Sequence, residues 1–107
     1  MDIQGGNKMK EKFKIIKKHS QNKLRDVEIA IAVALKVDKL ELASKYNLEK
    51  SRIRTIYRIY MAHLNEQLYD IPYSRAVNDK HYYNRSNALD MLTAYKEFLI
   101  DYLSEVK

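Results

Sequence analysis

The sequence predicts an all-α protein, a compact bundle of four to five helices, and three observations carry that expectation. Apolar residues recur at steps of three and four along most of the chain, the period of an amphipathic helix. Glycine occurs only at Gly5 and Gly6. Tight β-hairpins and the phosphate cradles of nucleotide enzymes therefore lack the residue they most need. Leu, Ile, Val and Phe are 28 of the 107 residues, above the roughly one-fifth below which a chain tends to stay unfolded. A chain of this length is one domain's worth and buries roughly 65% of its unfolded surface.

The absence of cysteine excludes a disulfide framework, a thiolate zinc site and a thiol nucleophile. The longest apolar run, Ile29–Leu35, falls far short of the ~20 residues of a membrane span. Asp26 and Glu28 before it are the wrong flank for a secretory signal. The expectation is a cytoplasmic protein with no membrane span. Charge is unevenly spread: residues 1–60 carry 15 Lys/Arg against 7 Asp/Glu, whereas residues 61–107 carry 5 against 7. Such asymmetry suggests one half for a polyanion and another half with a different task.

Residues 1–19 read as a basic, partly flexible arm, with residues 1–7 as a leader. Lys8–Lys18 sets Met9, Phe13 and Ile16 at helical spacing among lysines. That pattern fits a short basic amphipathic helix, an anion-binding arm, an anchor on an acidic membrane surface, or a solvated terminus with a few apolar anchors.

Residues 20–69 form the next unit. A helix is expected from about Asn22 to Val37, with Asn22 as N-cap and Leu24, Val27, Ile31, Ala34 and Leu35 on one face. Asp38 can cap a second helix that buries Leu42 and Tyr46. Asn47 then suits a left-handed turn, being the best non-glycine residue for it. A third helix starts at about Glu49 and buries Ile53 and Ile56. Ala43 offers the small side chain where two helices cross steeply, and Leu48 fills the turn.

Through LELASKYNLEKSRIRTIYR this segment resembles the helix-turn-helix family, most nearly region four of bacterial sigma factors and related small transcription regulators. The resemblance spans about 20 residues and has Asn47 where many members have glycine. It implies sequence-specific recognition of double-stranded DNA by a bacterial or phage regulator. The exposed positions of the third helix would then be Lys50, Ser51, Arg52, Arg54, Thr55 and Arg58, with Ser44 and Lys45 on the preceding helix against flanking backbone. A recognition helix reads base edges with its N-terminal part. Arg54 is the candidate for a bidentate contact to guanine, Lys50, Ser51 and Thr55 for bases or phosphates, and Arg52 and Arg58 for phosphates. Glu49 is an acid at the entrance, suited to a cytosine amino group or to capping the helix.

Helical spacing continues through Ile59, Tyr60, Met61, Leu64 and Leu68 to about Tyr69, with Pro72 as a stop. Residues 70–107 are a connector and a final helix. The connector carries a short helix around Ser74–Asp79, and Tyr69, Tyr73, Tyr82 and Tyr83 among Arg75, Lys80, His81 and Arg85. These tyrosines more often pack a connector onto a core than stack on a single strand. The last helix, about Asn87–Val106 with Ser86 as cap, sets Leu92, Tyr95, Leu99, Tyr102 and Val106 in a heptad-like seam. A helix this apolar needs burial or a second copy. The expectation is a homodimer through that seam, with RNA polymerase or another protein as a further partner. The competing function is a non-enzymatic helical interaction module, an adaptor or inhibitor, using the same surface.

No active site is legible. His63 and Glu66 stand i, i+3 on one helix, but a di-metal motif runs in the opposite order and needs further carboxylates. Glu66 and Asp70 lack the burial that would split their acidities. No cofactor or metal is expected.

Overall fold

The computed structural model describes residues 11–16, 23–78 and 86–105. Glu11 and Lys12 are helical, and beyond them lie five helices: α1 (Lys23–Ala34), α2 (Lys39–Tyr46), α3 (Lys50–Tyr69), α4 (Tyr73–Asn78) and α5 (Ala88–Glu105). No strand occurs among the described residues. The expected cap Asn22 and the connector residues Lys80, His81, Tyr82, Tyr83 and Arg85 lie outside them, as does Met9.

In a chain so poor in glycine, three other residues among those described take left-handed turns: Lys36 (φ 70°), Asn47 (φ 55°) and Asp70 (φ 58°). At the end of α1, Lys36 N–H bonds the Val33 carbonyl and Val37 N–H bonds that of Ala32. At the end of α2, Asn47 and Leu48 repeat the pattern on Ser44 and Ala43, at 3.3 and 2.9 Å. These paired bonds satisfy carbonyls that a helix end otherwise leaves open. The first helix consequently stops before the expected Val37. Asp38 and Glu49 occupy the N-cap positions of α2 and α3 with extended backbone, yet neither side chain makes a capping bond. Their carbonyls accept the first bonds of each helix, from Leu42 and from Arg52 and Ile53. α5 begins one residue later than expected, with Asn87 rather than Ser86 accepting its first bond, from Met91 N–H.

α3 is the spine. Twenty residues make it about 30 Å long, most of the molecule's 37 Å longest dimension. α1, α2, α4 and α5 all pack against it, and α1 also packs along α5. Because α1 is held from two sides, its buried positions are Asp26, Val27, Ile29, Ala30 and Val33. That stripe is rotated from the expected one, and Leu35, past the helix end, is 56% exposed.

One expectation is sharpened and one corrected here. Phe13 and Ile16 are the apolar anchors of the basic segment, buried in the core, and residues 13–16 are not helical. The segment is strapped down by polar bonds: Lys14 N–H donates to Gln67 Oε1 at 3.1 Å, and Gln67 Nε2 donates to the Lys14 carbonyl at 3.0 Å. Ile16 N–H donates to the Tyr95 hydroxyl at 3.0 Å. The seam of α5 is likewise consumed within the protomer. Leu92, Tyr95 and Leu99 are fully buried in its core, so they are no dimer surface. Tyr95 stands edge-on to Phe13 and Tyr60, with centroids 5.5 and 5.9 Å away. Of the expected seam only Tyr102 is exposed, and Val106 lies outside the described residues.

Candidate nucleic-acid interface

The interface is built on the first half of α3. Ile53 and Ile56 are buried, and Leu42 of α2 is buried with them. Ala43, Tyr46 and Leu48 pack partly buried against the same core, as the spacing predicted. With that face turned inward, Lys50, Arg54 and Arg58 stand i, i+4, i+8 and all three are exposed. Ser51 and Thr55 form the adjoining row.

These five residues line one open groove of about 1410 Å³. Its other walls come from the end of α1 and the corner after it (Val33, Ala34, Lys36, Val37, Asp38), from Lys39 at the start of α2, and from Asn78, Ser86, Ala88 and Leu89. Among the described residues, the lining thus gathers Lys36, Lys39, Lys50, Arg54 and Arg58 with one carboxylate, Asp38. A groove larger than the usual range of small-molecule sites, and so cationic, suits an extended polyanion better than a compact ligand.

The expected site residues separate into two groups. Lys50, Ser51, Arg54, Thr55 and Arg58 come together in the groove, whereas Ser44, Lys45 and Arg52 stand outside its lining. Lys45 holds its ammonium 5.3 Å from the ring centroid of Tyr46. Glu49 also stands outside the lining. Lys36 and Lys39 are the contributors that reading the sequence missed. Their only local signal is proximity to the start of α2; their place in the same groove as Arg54 is a product of folding.

Thr55 is chemically narrower than expected. Its hydroxyl donates to the Ser51 carbonyl at 2.9 Å, so its proton is occupied and its lone pairs remain. It suits a donor such as a base amino group, not a phosphate oxygen, which only accepts. Near Arg58, burial pushes the Tyr73 hydroxyl above its ordinary value; the Arg58 charge opposes that rise and Glu66 adds to it. Tyr73 stacks on His63 with centroids 4.2 Å apart, and its N–H donates to Glu66 Oε2 at 3.3 Å. Tyr69 likewise serves packing, its hydroxyl accepting from Asn87 Nδ2 at 2.7 Å. Among the described residues no three His, Asp or Glu side chains converge as a metal site, and no helix is long and apolar enough to cross a membrane.

No family model matches the chain, and neither a curated protein nor a solved structure does.

Proposed function

We propose that this chain is a sequence-specific, double-stranded DNA-binding protein acting as a cytoplasmic transcriptional regulator. In this reading α2, the left-handed Asn47 turn and α3 form a helix-turn-helix, and α3 enters the major groove. One observation carries it: among the described residues, five cations and one acid line the groove that includes the exposed stripe of α3. The long, forked side chain of Arg54 sits centrally in that stripe and reads guanine O6 and N7. Lys50 and Arg58, one turn to either side, hold phosphates, and Thr55 accepts from a base amino group.

Selection of bound fragments from a random duplex pool at physiological salt tests the proposal, with an enriched motif as the expected result. Arg54→Ala is expected to weaken binding to that motif by about 1–3 kcal/mol, with a smaller loss on random duplex. Equal losses on both would remove Arg54 as the base reader. Absence of any duplex binding would remove the proposal.

A second reading, a protein-interaction module, draws on α5. Its outer face leaves Ile100, Tyr102 and Leu103 exposed, at 42%, 40% and 44%. A homodimer, or a contact with RNA polymerase, would use these residues in place of the buried seam. Sedimentation of the pure protein, beside an Ile100→Glu variant, separates self-association from a monomer.

A further inference from the structure

We infer that Lys36 is a dedicated phosphate-gripping residue in the groove that α3 lines, held there by a backbone conformation that costs the fold stability. This rests on the DNA-binding reading and adds to it a contact outside the two helices of the motif. Lys36 closes α1 in the left-handed region, at φ 70°. There a side chain with a Cβ costs about 1 kcal/mol or more, and glycine or asparagine is the usual occupant. The turn itself has no need of lysine. Its two closing bonds, from Lys36 N–H to Val33 and from Val37 N–H to Ala32, both 3.0 Å, are made by backbone atoms. The side chain is exposed and lines the same groove as Lys50, Arg54 and Arg58.

A residue that is unfavourable for its turn, and cationic in a cationic groove, fits a function that outweighs the strain. A phosphate strand lying along the groove meets α3 and also Lys36 and Lys39, which lie outside that helix. Contacts from outside α3 fix the distance of the duplex from it, which α3 alone leaves free.

The test is Lys36→Gly, measured for thermal stability and for binding to a fluorescently labelled, mixed-sequence DNA duplex across a salt series. Glycine keeps the left-handed turn and removes both the strain and the charge. The two readouts are expected to move in opposite directions. The melting temperature rises by a few degrees, while the slope of log K against log salt shrinks by about 0.9, equivalent to roughly eightfold weaker binding near 0.1 M salt. Lys36→Asn, which also tolerates the turn, shows the same loss of binding, and Lys36→Arg restores the slope.

If Lys36→Gly and Lys36→Asn bind with the wild-type slope while Lys50→Ala and Arg58→Ala reduce it, the Lys36 assignment is overturned and the α3 reading stands. If the wild-type protein binds no duplex, both fall together. A drop in melting temperature for both Lys36→Gly and Lys36→Asn would overturn the claim that this lysine is held against the preference of its turn.

Discussion

The two halves of α3 share one helix and have opposite surroundings. From residue 50 to 58 it carries Lys50, Arg52, Arg54 and Arg58, and buries only Ile53 and Ile56. From residue 59 to 69 it carries no lysine or arginine, and buries Ile59, Tyr60, Met61, Ala62, Leu64, Asn65 and Leu68. Helix propensity does not separate the halves. What separates them is packing: the second half is enclosed by its neighbours, while the first is covered on one face only. A rigid helix anchored at one end presents the side chains at its other end with little conformational loss, and preorganisation of this kind favours binding.

Variants can break this comparison, and the largest effect is expected in the buried half. Leu64→Ala removes a fully buried side chain and should destabilise the protein by about 2–5 kcal/mol, read as a shifted urea midpoint. Because the residues proposed to bind DNA lie elsewhere, the fraction still folded should bind duplex with wild-type affinity.

A smaller effect comes from the strap. Tyr95→Phe leaves the ring packing intact but deprives Ile16 N–H of its acceptor. The expected cost is about 1–3 kcal/mol, with faster amide exchange at Ile16 than in α2. Unchanged exchange there would mean that Phe13 and Ile16 alone hold the strap.

Alkaline pH probes the same core. Burial pushes the Tyr60 hydroxyl above its ordinary value of 10.0, reinforced by Tyr95 and Asp26. Burial also raises that of Tyr95, partly offset by the Ile16 bond. Above pH 10 the unfolded chain releases these protons while the folded one retains them. Stability is therefore full below about pH 10 and falls beyond it, by about 1.4 kcal/mol per pH unit for Tyr60 until its folded value is passed. Tyr60→Phe should flatten the fall, followed by circular dichroism in urea. The smallest effect belongs to the first half of α3: Arg54→Ala should change stability by no more than about 0.5 kcal/mol despite its expected effect on DNA.

The span of α3, the stop before Pro72, the turn at Asn47 and the inward Ile53 and Ile56 were legible because each depends on neighbours within a few residues. The failures share a different cause. Leu92, Tyr95 and Leu99 form a seam whose periodicity says that it will be buried, but not by what. The strap is 79 positions from the Tyr95 hydroxyl that receives it. Phe13 and Ile16 sit among lysines that suggest a solvated arm, and nothing local shows that Gln67 will bond the backbone of Lys14 between them.

The sequence by itself determined the helical class, the limits of α3 and the stripe of cations on its first half. Helical periodicity, turn preference and charge are properties of short segments, and glycine scarcity excludes the main alternatives. Only the tertiary structure decided that the α5 seam closes the core, that Phe13 and Ile16 join it, and that Lys36 and Lys39 line one groove with Arg54 and Arg58. Those outcomes depend on which distant surfaces exclude water from each other, and hydrophobic burial is non-directional. Apolar spacing states that a face must be covered; the packing of the whole chain chooses the cover.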